Sequence, residues 1–181
     1  MTKLEGVLPA IRNMKDFEKV LVSNHENIIF LETRLSQIKS LVKHAHDHHK
    51  NVFLHVDLVQ GLKVDEYGLE YLVNDIHVDG IVTTKANVIT MAKKHNITGI
   101  QRLFALDSHA LDHNLKICKR VRPDYIEVLP GIIPSILKEI HEETEIPVIA
   151  GGLIRTEEDV NRALDGNAIA VTTSNRKLWE F

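Results

Sequence analysis

A single cysteine, Cys118, stands in the whole chain, which excludes an intrachain disulfide framework and fits a reducing compartment. It falls in "LKICKRV" beside Ile117 and Val121, so it reads as helix packing rather than chemistry. No apolar run approaches the roughly 18 residues of a membrane span, and the N-terminus has no signal-peptide apolar segment. A cytoplasmic protein with no membrane partner is the expectation. A basic excess is also missing. The chain has 22 Lys and Arg against 25 Asp and Glu, a net charge of −3, so a nucleic-acid partner would have to use a local patch. No linker, low-complexity tract or composition break interrupts the 181 residues, which suit one domain, 1–181, large enough for its own core.

What the chain does have is alternation. Short apolar runs at 6–10, 27–32, 51–57, 79–84, 98–105, 124–129, 146–151 and 167–173 read as strands. Helical patterns separate them at 14–23, 35–49, 65–76, 87–95, 108–121, 133–144 and 156–165, with a short piece near 176–181. Strand–helix alternation implies a parallel sheet. Eight repeats of it imply an α/β fold that is a small closed parallel (β/α)8 barrel of the TIM type, with an open doubly wound sheet as the alternative were two of these strands misassigned. Its units of about 23 residues are short, since such barrels usually run to ~250.

In such a barrel the chemistry sits at the C-terminal ends of the strands, and phosphate often binds after strands seven and eight. Strand seven here is "IPVIAG" (146–151). It ends at Gly151, with Gly152 and Leu153 following, and Thr156 with Asp159 has the spacing of a capping box at the next helix. Glycines at a strand-to-helix turn let backbone N–H groups approach an anion closely. Strand eight ends "AVTTSNRKLW", where Thr172, Thr173, Ser174 and Asn175 offer hydroxyls, an amide and backbone donors. The two loops form the sides of one anion cradle. The bland reading is a tight turn beside a Ser/Thr-rich helix cap. The closing piece, with Trp179 and Phe181, reads as a labile segment beside these loops.

Other polar residues fall at strand ends. Alternation in "NVFLHVD" sets Phe53, His55 and Asp57 on one face and the apolar Val52, Leu54 and Val56 on the other, so His55 and Asp57 should face the lumen. Glu32, Lys85 and Glu127 follow by the same logic, and on strand five either Gln101 or Arg102 points inward. Such groups would hold a polyol by hydrogen bonds and charge. As catalysts, Asp57 or Glu127 would abstract a proton and a desolvated Lys85 would form a Schiff base. As scaffold, they would form a Glu–Lys–Asp network.

"HAHDHHK" (44–50) puts His44 and His48 at i, i+4, a zinc-compatible spacing. The cluster closes a helix, on the face away from the mouth, where histidine suits the helix dipole; no metal is expected. Basic residues gather at two adjacent helix ends: Lys93 and Lys94 in "MAKKHN", and Lys116, Lys119, Arg120 and Arg122 in "LKICKRVRPD". They read either as solvated helix ends or as one RNA-binding patch.

Several segments taken together resemble the glycerol-3-phosphate-responsive antiterminator family: "LPAIRN", "HVDLVQGL", "DGIVTTK", "QRLFALDS", "DYIEVLPG", "PVIAGGLI" and "AVTTSNRKLW". They cover nearly the whole chain in order. The resemblance implies a barrel that senses glycerol 3-phosphate as effector, with no further cofactor, and binds the leader mRNA of a glycerol uptake operon to prevent termination. It implies that Gly151, Gly152, Thr173 and Ser174 hold the phosphate, with Asp57, Lys85 and Glu127 around the glycerol end. A regulator rather than an enzyme is therefore expected. The alternative is a barrel isomerase, aldolase or synthase acting on a small phosphorylated metabolite. A homo-oligomer stays open.

Overall fold

A computed structural model describes residues 3–180. Eight parallel strands close into a barrel: β1 (Gly6–Ile11), β2 (Asn27–Phe30), β4 (Asn51–His55), β6 (Gly80–Thr83), β7 (Thr98–Phe104), β8 (Tyr125–Leu129), β9 (Val148–Gly151) and β10 (Ala168–Thr173). β1 pairs with both β2 and β10, which closes the ring. The two remaining strands, β3 (Thr33–Arg34) and β5 (Val59–Gln60), make a small parallel ribbon above it. Neither was signalled by an apolar run, because both are too short to carry a period.

Helices α1 (Met14–Leu21), α2 (Leu35–Asp47), α3 (Glu66–Tyr71), α4 (Ala86–Lys94), α5 (Ser108–Val121), α6 (Pro134–Thr144) and α7 (Glu157–Asp165) fill the crossovers. Their starts are capped where the sequence offers a short polar side chain: Asn13, Asp65, Asp107 and Thr156 each accept a backbone N–H two or three residues into the helix. At α7 the box is complete, with Asp159 answering the Thr156 N–H. α3 is shorter than its apolar pattern, because Leu72–Ile76 widens into a π-type turn.

Alternation divides the core in two. Val52, Leu54 and Val56 pack outward against the helices, whereas Leu8, Ala10, Ile29, Phe53, Ile100 and Ile149 fill the lumen. Gly80 is required here, since a Cβ would lie 2.6 Å from the Phe53 ring. Cys118 is buried in the outer layer, where desolvation pushes its thiol up to about 12. No helix among the described residues is long and apolar enough to cross a membrane.

The closing segment is docked rather than labile. Trp179 is 5% exposed; its indole N–H donates to the Thr173 carbonyl at 2.9 Å, and its own carbonyl lies 2.6 Å from His25 Nε2. Arg176 forms a close ion pair with the buried Asp16 of α1. Phe181 lies outside the described residues.

Candidate functional site

A cavity of about 180 Å³ opens at the C-terminal ends of β1, β7, β8, β9 and β10. That is well under the roughly 300–1,000 Å³ of drug-sized ligand sites, so it suits a small metabolite. Gly152, Leu153 and Ile154 line one side, and Thr172, Thr173 and Ser174 the other. Gly152 has φ +72° and Leu153 φ +60°, two consecutive residues with positive φ at the turn that follows β9. Leucine rarely adopts a positive φ, and strain of this kind concentrates at functional sites.

The loops are stitched to each other. Asn175 Nδ2 donates to the Arg155 carbonyl at 3.0 Å, while its Oδ1 caps Lys177 N. Thr173 Oγ1 accepts Asn175 N–H at 3.1 Å. Asn175 therefore braces the cradle without lining it. Gly151 is likewise absent from the lining: a Cβ there would sit 2.7 Å from Thr172 Oγ1 and 2.8 Å from Glu127 Oε1. Its lack of a side chain makes room for the carboxylate.

The cavity floor is an ion-pair network. Arg102 Nε donates to Glu127 Oε2 at 2.7 Å, and Thr172 Oγ1 donates to Glu127 Oε1 at 2.6 Å. The side chains of Arg102 and Glu127 are only 11% and 3% exposed. Both carboxylate oxygens are thus engaged, and buried charges persist only when paired in this way. The choice left open on strand five is resolved as well. Ile100 and Arg102 face inward, while Gln101 faces the helix layer and donates to the Thr84 carbonyl at 2.8 Å.

The remaining expected residues stand apart from this cavity. The alternation that should carry Asp57 into the lumen stops at His55, because Val56–Leu58 forms a 3-10 turn. Asp57 then ties the turn to β6, accepting from Thr83 Oγ1, Thr84 N and Thr84 Oγ1. Lys85 stands at the N-cap position of α4 without a side-chain cap, 54% exposed and 3.9 Å from Asp57. Glu32 lies past the end of β2, exposed, 3.3 Å from Arg12. Arg12 itself lines the cavity and was missed, although extending Leu8–Ala10 by one more step of two would have reached it.

His55 is 3% exposed, with Nδ1 unpartnered. Burial and, next, the charge of Arg102 hold its ring below the ordinary histidine value. The folded chain therefore binds this proton less readily than the unfolded one, so stability is lost as pH falls through about 6.5. Denaturant titrations at about pH 7.5 and 5.5 should show a smaller loss for His55→Leu than for the wild type.

On the opposite end of the barrel, His48 Nδ1 lies 2.9 Å from the His44 carbonyl, and His46 pairs with Asp79. Among the described residues no group of three metal-type side chains is placed to hold an ion. Half of the basic cluster is engaged there: Lys93 donates to the Val121 carbonyl, Lys119 pairs with Glu143, and Arg122 donates to the Thr144 carbonyl. Lys94, Lys116 and Arg120 extend from the same ends of α4 and α5.

The family model described as glycerol-3-phosphate responsive antiterminator matches residues 7–179. The structure resembles that of the glycerol uptake operon antiterminator regulatory protein from Listeria monocytogenes str. 4b F2365, with a TM-score of 0.94 and 47% identity, covering 97% of this chain and 95% of that one. A glycerol uptake operon antiterminator-related protein from Thermotoga maritima MSB8 is 30% identical, with a TM-score of 0.89 over 99% and 100% of the two chains. The uncharacterized protein YgcP of Escherichia coli (strain K12) is 32% identical over 96% of this chain and 91% of its own length. Barrels at 13% identity and below, aldolases among them, share the fold alone. With the match running from β1 to the docked Trp179, the chain belongs to the glycerol-3-phosphate responsive antiterminator family.

Proposed function

We propose that this protein is a glycerol 3-phosphate sensor that binds leader RNA of a glycerol uptake operon and prevents termination. One observation carries the choice of sensor over enzyme: the lining of the phosphate-type cavity holds a single carboxylate, Glu127, and both its oxygens are already hydrogen-bonded. Each oxygen keeps a lone pair that can accept from a ligand hydroxyl, while the Arg102 ion pair and the Thr172 hydrogen bond hold the carboxylate to the floor as a structural group. Lys85, the residue for a Schiff base, stands at the start of α4 outside the cavity lining. Groups so engaged can orient hydroxyls without abstracting a proton. The cradle would hold the phosphate between the β9 and β10 loops, and Arg102 with Glu127 would meet the glycerol end.

A phosphorus NMR titration of the purified protein with glycerol 3-phosphate, followed for hours, tests this. Broadening or shift with no new resonance is expected. A new signal growing with time would mean turnover and would favour an isomerase, aldolase or synthase reading. Leader-RNA binding should then be tighter with ligand than without, because a ligand shifts an equilibrium only by its differential affinity for the two states. Equal RNA affinity would overturn the switch.

The RNA surface we assign to the helix ends of α4 and α5. Replacing Lys94, Lys116 and Arg120 together with alanine is expected to weaken RNA binding. The slope of log K against log salt should fall by about 2, at roughly 0.7 for each phosphate of a single strand that is no longer neutralised. Unchanged affinity and slope would move the surface elsewhere.

A further inference from the structure

Among the charged groups lining the cavity, Arg12 is the loosely held one. Arg102 is spent on Glu127 in the floor, so a phosphate monoester entering the cradle meets one cation not already neutralised by a buried partner. Arg12 follows Leu8 and Ala10 on the inward face at the mouth end of β1. Its side chain is 55% exposed and its partner Glu32 61% exposed, 3.3 Å apart. That is long beside the roughly 2.7–2.9 Å of a charge-assisted hydrogen bond, and exposed pairs of this kind hold weakly. A neighbouring cleft is lined by Arg12, Asn13, Glu32 and Thr33. The guanidinium therefore stands on the wall between two spaces, with a carboxylate on one side and the anion cradle on the other.

We propose that Arg12 is the phosphate clamp of this site and Glu32 its built-in competitor. The planar guanidinium fork matches phosphate in two parallel hydrogen bonds, and a phosphate carrying up to two charges outcompetes one exposed carboxylate. Ligand binding thus exchanges the partner of Arg12 and releases Glu32. The freed carboxylate immediately precedes β3, so the exchange alters the charge beside the β3–β5 ribbon. The proposal rests on the reading of the cavity as a glycerol 3-phosphate site.

Calorimetric titration of glycerol 3-phosphate, inorganic phosphate and glycerol into four proteins tests it: wild type, Arg12→Gln, Glu32→Gln and the double variant. Both side chains are exposed, so circular dichroism and thermal melts should be nearly unchanged. Arg12→Gln is expected to weaken both phosphate-bearing probes at least about tenfold. Glu32→Gln should tighten them about two- to fivefold by removing the competitor. In the Arg12→Gln background, Glu32→Gln should do nothing. Unchanged phosphate affinity in Arg12→Gln would overturn the clamp alone. Equal tightening by Glu32→Gln in both backgrounds would overturn the exchange, since it would mark long-range repulsion. A wild type that binds neither phosphate-bearing probe would overturn the sensor reading itself, and the clamp with it.

Discussion

Arg102→Ala is expected to destabilise the protein by about 3–5 kcal/mol, the usual loss when one member of a buried ion pair is removed. The reason lies in what remains. Glu127 sits in the lumen with its side chain 3% exposed, and without Arg102 the hydrogen bond left to it among the described residues is that of Thr172. A carboxylate so placed has lost its counter-charge and is only slightly exposed to solvent. Urea denaturation with an unchanged m-value would measure the loss. The double variant Arg102→Ala/Glu127→Gln should recover a substantial part of it, because the amide is uncharged and can still accept from Thr172 Oγ1. A loss below about 1 kcal/mol, the range of exposed pairs, would mean that the pair is not structural. Glu127 would then be free for a substrate, and the enzyme reading would regain ground.

Trp179→Ala is expected to rank with it, at about 3–5 kcal/mol for removal of a buried tryptophan. The indole packs in the same cluster as Phe17 and Val171, and its N–H holds the carbonyl of Thr173, one residue before Ser174 of the cradle. Stability and ligand affinity should therefore fall together. Trp179→Phe separates the two causes. It keeps most of the packing and loses one hydrogen bond, so its destabilisation should be about 1 kcal/mol, while its weakening of glycerol 3-phosphate binding should persist. If Trp179→Ala binds the ligand as tightly as the wild type, the closing segment serves only the barrel and does not brace the phosphate loops.

The Arg12→Gln and Glu32→Gln pair asks a different question from these two. Arg102 and Trp179 hold the cavity in shape, so their loss registers in denaturation. Arg12 and Glu32 are both exposed, so their effect should appear in binding and hardly in melting. A result of that form would separate the frame of the site from the group that acts on the ligand.

Eight strands and the helices between them were legible because each announces itself locally. Period-two alternation in "NVFLH" and a capping box at Thr156 depend on neighbours a few residues apart. The two loops proposed here to hold phosphate stand out locally too, as Gly-Gly and Thr-Thr-Ser-Asn stand where two strands end. Alternation misled at Asp57, where a 3-10 turn redirects the chain, and it was not followed far enough at Arg12. Nothing local told Gln101 from Arg102, because the two polar residues stand side by side between Ile100 and Leu103 and break the alternation.

The sequence by itself determined the order of elements and the closed barrel that eight such units imply. Only the tertiary structure decided which charges meet. Arg102 and Glu127 are 25 residues apart, and Glu127 and Thr172 are 45 apart; the register of β7 on β8 and the closure of the ring bring them together. Whether a carboxylate is a free base or a neutralised strut depends on that meeting. Hydrogen bonds and ion pairs act over a few ångströms of space, whereas sequence patterns report only separation along the chain.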